Sequence, residues 1–280
     1  MGSEVAFVVM AAGIGRRYGG NGTKQLRTFG KRGLTISEYN ILYALDSGFE
    51  RFYFVVADEF AEIFHRRLKN FLPSGCTFDL IYQKKENKLL KFCRRYKPWG
   101  TAHAVMCCGN AIDCNFAVTN GDDLYGSDAI FRAAEFLKSA DTESATFANI
   151  AYTLSETLSA GGVVSRGVII ADENSRLLAI DEVGQLSGLA LEKLHIERES
   201  PVSMNLWCFT PMVFPLLRHS WSEFSSKISD VTSDEFGLPF FINAAVKCGK
   251  CRVDVIRTAS KWHGITYKTD DETMESILGA

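Results

Sequence analysis

Strand and helix signals alternate without a break through the first half of the chain, and this alternation restricts the fold more than any other feature. "EVAFVVMA" (4–11) is a continuous apolar run, the signature of a strand buried on both faces. A helical pattern follows in "SEYNILYALDSGF" (37–49), with Ser37 predicted as its N-cap and Gly48 as its stop. "RFYFVVA" (51–57) is the next strand and "EFAEIFHRRLKNFL" (59–72) the next helix. "TFDLIYQ" (77–83), "GTAHAVMCCGNAI" (100–112) and "NFAVTNGDD" (115–123) continue the series as strand, helix and strand. A βαβαβαβ order predicts an α/β fold of Rossmann type, a mostly parallel sheet covered on both faces. The second half has a different texture. Strands within 144–154, 161–182 and 202–211 predict an antiparallel add-on, followed by helices at 212–219 and 234–247, a strand at 252–258 and a terminal helix from about 270. With no repeat and no proline-rich linker, residues 1–280 are expected to form a single domain, with 1–126 as the α/β half and 127–280 as a substrate-binding half grafted onto it.

Composition excludes several classes. The net charge of −2 gives no global field to recruit nucleic acid or an acidic membrane. No apolar run is long enough to cross a bilayer and no signal-peptide layout opens the chain, so a cytoplasmic protein is expected. Eight cysteines in such a chain are expected to be reduced thiols. Cys248-Gly-Lys-Cys251 is the only CxxC, and without a second pair or nearby histidines it reads as a turn leading into a strand rather than a zinc site.

Chemistry concentrates after the first strand. In "VVMAAGIGRRYGGNGTKQL" (8–26), Gly13-x-Gly15 lacks the third glycine of the dinucleotide fingerprint, and Gly22-Thr23-Lys24-Gln25 lacks the P-loop ending. What is left is a glycine turn whose backbone amides suit an anion, with Arg17 and Lys24 as cations. The competing reading of this segment is a solvated surface loop. "VTNGDDLYG" (118–126) then sets Asp122 and Asp123 at the carboxyl end of a strand, where open α/β sheets bind ligands. Mg²⁺ held by one or two carboxylates and phosphate oxygens suits such a place. A capping acidic pair in a βα turn is the alternative.

Taken together, these motifs resemble the sugar-phosphate nucleotidyltransferases, or nucleotide-sugar pyrophosphorylases. The resemblance rests on Ala11, Ala12, Gly13, Gly15, Arg17 and Lys24, then Gln83, "WGTAHAV" (99–105) and Gly121-Asp122, in that order. It implies transfer of a nucleoside monophosphate from a nucleoside triphosphate to a sugar 1-phosphate, with release of pyrophosphate and with Mg²⁺ as cofactor. It further implies catalytic roles for Arg17, Lys24 and Asp122. The nucleotide would be framed by Ala11, Ala12, Gly13, Gly15, Gln83, Gly100 and Thr101, and the sugar by Gly162, Glu182 and Asn205. The chain lacks the long C-terminal β-helix on which some relatives trimerise, so a monomer or homodimer is expected.

Departures from that pattern are equally specific. Thr23 replaces the usual proline before the lysine, and Glu182-Val183-Gly184 lacks the lysine expected after the glutamate. Gly264 stands where a second metal-binding aspartate is expected, leaving Asp270 or Asp271 as substitutes. Two other readings therefore stay open: a cytidylyltransferase for a non-sugar phosphate, against which the absence of an Asp-x-Ala-Arg segment counts, and a catalytically idle regulatory protein that kept the pocket.

Overall fold

A computed structural model describes residues 4–13, 24–83, 95, 97–158, 162–186, 196–265 and 270–279. Its main sheet has nine strands. The parallel part comprises β1 (Val5–Met10), β4 (Arg51–Val56), β5 (Thr77–Tyr82) and β6 (Asn115–Asn120), in the order β6-β1-β4-β5. β1 lies at its centre, and all six of its residues are buried. Consecutive side chains of β1 enter opposite faces, as the strand period requires. Val5, Phe7 and Val9 join one core with α1 (Ile36–Asp46), α2 (Ala61–Phe71) and α4 (Ser127–Ser139). Ala6, Val8 and Met10 join the other, with α3 (Thr101–Cys107), α5 (Val213–Ser226) and α6 (Leu238–Lys247). The apolar run at 4–11 thus produces the two-faced burial that its composition predicts.

Beyond β6 the sheet continues through β11 (Pro201–Phe209), β9 (Val164–Ala171) and β10 (Leu177–Leu186), all antiparallel to their neighbours in this row. The predicted add-on is therefore no separate sheet but an extension of the parallel one. β8 (Thr146–Thr153) also pairs antiparallel with β11, whereas β12 (Arg252–Arg257) joins β8 in parallel. Two short pairs complete the strands: β2 (Thr28–Phe29) with β3 (Leu34–Thr35), and β7 (Asp123–Leu124) with β13 (His263–Gly264). The terminal helix α7 (Asp270–Leu278) packs beside β2, and Asp271 accepts an ion pair from Arg27 at 2.7 Å.

Ser37 is not the N-cap of α1. Thr35 is, in a capping box with Glu38: the Glu38 N–H donates to Thr35 Oγ1 at 3.2 Å, and the Thr35 N–H donates to the Glu38 carboxylate at 2.7 Å. Arg67 holds the same buried carboxylate at 2.6 Å. The Ser37 hydroxyl instead donates to the Gly121 carbonyl at 2.8 Å, tying α1 to the loop after β6. Cys248 ends α6 in a turn that passes through Gly249 into β12, as expected of the CxxC segment. Among the described residues, no helix is long and apolar enough to cross a membrane.

Candidate active site

A cavity of about 690 Å³ opens at the carboxyl ends of the parallel strands. Met10 ends β1, Gln83 follows β5, and Asn120 and Asp122 end and follow β6; all four line it. Ala12, Gly13, Gly100 and Thr101 form more of its wall, and Glu182 and Asn205 reach it from the antiparallel side. Asn120, Glu182, Asn205 and Pro239 also line an adjoining recess of about 150 Å³, which adds Asp123, Arg166 and Gly167.

Several sequence-predicted residues therefore meet in one space, and others do not. Ala11 is buried behind the wall, its N–H donating to the Val55 carbonyl at 2.7 Å. Gly15 and Arg17 lie outside the described residues, as does the Lys24 side chain, whose backbone opens a short 3-10 turn, Lys24–Leu26. Gly162 is exposed and absent from either lining; the glycine that lines the recess is Gly167, paired with Glu182 across the β9–β10 hairpin. Asp270 opens α7, away from the cavity lining.

The acidic pair is divided by local backbone. Asp122 faces the main cavity, while Asp123 enters β7 and turns to the recess, accepting from Asn120 Nδ2 at 2.7 Å. Gly264 lies directly across from Asp123 in the β7–β13 pair. A Cβ on Gly264 would fall 2.3 Å from the Trp262 ring and 2.8 Å from the Asp123 carboxylate. The space that any side chain at position 264 would need is thus filled by the indole. Among the described residues, no group of three histidines, cysteines or carboxylates is placed to hold a metal.

Gln83 is held at the other end. Its Nε2 donates to the Gly100 carbonyl at 2.9 Å and lies 3.3 Å from His103 Nδ1. Burial, reinforced by the Arg95 charge, lowers the His103 pKa to about 4, so this imidazole is neutral and its Nδ1 can accept. With its amide nitrogen engaged, Gln83 keeps its carbonyl for a ligand.

Gly100 is fixed by close approach. Its φ is +110°, and a Cβ there would lie 2.5 Å from the Phe236 carbonyl. That carbonyl accepts the Ala102 N–H at 3.0 Å, while the Phe236 N–H donates to the Trp99 carbonyl at 2.6 Å. Lys97 adds an ion pair with Glu235 at 2.7 Å, and Arg95 stacks 4.0 Å over Trp99. The Lys97-Pro98-Trp99 segment is therefore a wall stitched to the chain before α6. Lys97, Glu235 and Phe240 also line the cavity; Glu235 and Phe240 carry no signal in the sequence, because their place depends on a contact across more than a hundred residues.

Asn205 lies where β11 loses register between Ser203 and Trp207, with φ at +62°. Asparagine tolerates this left-handed conformation better than most residues. Its Oδ1 accepts the Trp207 Nε1–H at 3.2 Å. Glu182 remains accessible to solvent, yet partial desolvation of its carboxyl raises its pKa above the usual carboxylate range.

A family model described as "Nucleotidyl transferase" matches residues 7–262. No curated protein sequence matches significantly. Among solved structures, the inositol-1-phosphate CTP transferase from T. maritima superposes with a TM-score of 0.67 at 17% identity, covering 99% of this chain and 96% of that one. A putative glucose-1-phosphate thymidylyltransferase from Bacillus anthracis gives 0.67 at 14% identity, over 98% and 95%. UDP-glucose pyrophosphorylase from Acinetobacter baumanii gives 0.64 at 14%, over 98% and 92%. These superpositions, over nearly the whole of each chain, establish a shared fold.

Proposed function

The chain belongs to the nucleotidyl transferase family, and from that premise we propose that it joins a nucleoside triphosphate to a sugar 1-phosphate, releasing pyrophosphate and forming a nucleoside-diphosphate sugar. One observation carries this reading: a single cavity is lined both by Gly13, Gln83, Gly100 and Thr101 and by Glu182 and Asn205, with Asp122 in the same lining. Its volume suits two substrates of this size.

In the reaction, an oxygen of the sugar phosphate attacks the α-phosphorus of the triphosphate. A new P–O bond forms there as the bond to the bridging oxygen breaks, and pyrophosphate departs with that electron pair. The protein's work is positioning and charge neutralisation. Arg17 and Lys24 would bind the triphosphate, Gln83 would offer its carbonyl to a donor on the base, and Glu182 and Asn205 would bind hydroxyls. Asp122 is a hard oxygen donor on the cavity wall and fits Mg²⁺ held by one carboxylate plus phosphate oxygens. When bound there, the ion would neutralise phosphate charge.

The test is pyrophosphate release from a matrix of triphosphates (ATP, GTP, CTP, UTP, dTTP) and hexose 1-phosphates with Mg²⁺. Inositol 1-phosphate belongs in the panel because the T. maritima neighbour bears that name. Release with a hexose 1-phosphate supports the proposal. Release only with inositol phosphate moves the acceptor to the polyol class, and binding of triphosphate without release favours a regulatory protein.

A further inference from the structure

Resting on that reading, we propose that Arg166 is the cation that holds the phosphate of the acceptor substrate, a role the sequence leaves vacant at Val183. Arg166 and Val183 are direct partners in the antiparallel β9–β10 pair, so both side chains leave the hairpin on the same face. A charge absent from one strand is thereby supplied from the other. Arg166 lines the recess together with Asp123 and stacks 4.9 Å from the Trp262 ring, the same ring that occupies the space beside Gly264.

Its environment is built to hold a charged fork in place. Nε donates to Thr157, 3.1 Å from Oγ1 and 3.2 Å from the carbonyl; Nη2 donates to the same carbonyl; and Nη1 donates to the Ser165 carbonyl at 2.8 Å. These bonds use one N–H on each nitrogen. A guanidinium carries five, so one N–H on each terminal nitrogen is left for a ligand, the pattern that grips phosphate oxygens two at a time. All three acceptor oxygens are neutral, and no carboxylate among the described residues forms an ion pair with Arg166. Lys97, the other cation among the described lining residues, is already committed to Glu235. Burial pushes the Arg166 pKa down and Asp123 opposes it, but a guanidinium stays charged at neutral pH. A guanidinium held by neutral oxygens and a ring face, with one N–H still to donate on each terminal nitrogen, suits a phosphate; Asp123 and Glu182 line the same recess and repel an anion, so Arg166 is the group that offsets them.

The experiment is a calorimetric titration with inorganic phosphate, and separately with glucose 1-phosphate, on wild type, Arg166→Gln and Arg166→Lys. Arg166→Gln is expected to weaken both ligands roughly 10- to 100-fold, the loss of charge-assisted hydrogen bonds. Arg166→Lys should retain an intermediate affinity, and triphosphate binding should stay within about twofold of wild type. Tryptophan emission gives a readout that needs no Arg166 variant: phosphate should change it in wild type, and Trp262→Phe should remove the response. Wild type that binds neither probe, or an Arg166→Gln protein that binds both as wild type does, overturns the assignment. The proposed reaction fails separately. If phosphate binds through Arg166 but no substrate pair releases pyrophosphate, the reaction is refuted and this site stands. Pyrophosphate release with an acceptor KM untouched by Arg166→Gln refutes this site alone.

Discussion

At the scale of single residues, Asp122 and Asn205 permit the cleanest separations. Asp122→Asn preserves shape and removes one charge, so the fold should survive while turnover with Mg²⁺ falls on the order of 10²-fold, a typical cost of losing one electrostatic contact at the reacting centre. Steady-state kinetics on the variant checks this, and unchanged turnover removes Asp122 from the metal site. Asn205 combines two effects that different substitutions pull apart. Asn205→Gly and Asn205→Ala both lose the amide and leave the buried Trp207 Nε1–H without its acceptor. Only alanine adds strain at φ +62°, about 1 kcal/mol or more, which should lower its Tm a few degrees below that of the glycine variant. The acceptor KM should rise alike in both. A KM that follows Tm instead would mean that Asn205 serves backbone shape alone. Gly13, Gln83, Gly100, Asp122, Glu182 and Asn205 were legible in the sequence because each lies in a motif or interrupts an apolar strand, and all six line the cavity. Gly167 and Arg166 were not, since their relation to Glu182 and Val183 is created by strand register. A hairpin register is invisible to motif spacing along one strand.

Among the elements, α3 links the cavity to the core on one face of the sheet. Its first turn brings His103 against Gln83, and His103 packs 4.7 Å from the Trp221 ring. This neutral imidazole makes stability depend on pH. Its folded pKa, about 4, lies below its ordinary value of 6.5. Between the two the unfolded chain binds a proton that the folded chain does not, so stability rises with pH across that window and is lost as pH falls through it. The slope from this group is at most about 1.4 kcal/mol per pH unit. Unfolding in urea at several pH values should show the gap between wild type and His103→Gln constant above about 6.5 and changing in favour of the variant below it. A gap independent of pH down to 4 removes His103 from the account. The elements themselves were largely readable from periodicity, β1 and α2 most clearly. What failed was a cap. Ser37 looked like a cap because it precedes an apolar helix, but the Thr35–Glu38 spacing allows two reciprocal bonds and wins. The parallel pairing of β12 with β8 has no local signal, since it joins strands separated by about a hundred residues.

Over the whole molecule, β11 decides whether the parallel part of the sheet and its antiparallel extension are one folding unit or two. Its last residues pair with β6 of the parallel sheet, and its first pair with β9 of the β9–β10 hairpin. Along the other edge it pairs with β8 at both ends, across the irregularity at Asn205. Leu206 and Cys208 enter one core and Trp207 and Phe209 the other, all of them fully buried. Neither half can therefore unfold without exposing β11 and stripping backbone hydrogen bonds from the strands beside it, a cost that neither half offsets alone. Thermal unfolding should consequently be a single transition, despite the change of texture near residue 126. The expected result is coincident curves from far-ultraviolet circular dichroism, which reports the sheet and helices, and from tryptophan emission, to which the buried Trp207 contributes, with calorimetric and van't Hoff enthalpies equal. Leu206→Ala should lower the one midpoint for both probes together, by about 2–5 kcal/mol of lost packing. Two resolved transitions, or a Leu206→Ala shift confined to one probe, would mean that the halves fold separately and that the cavity between their residues is an interface and not the centre of one domain.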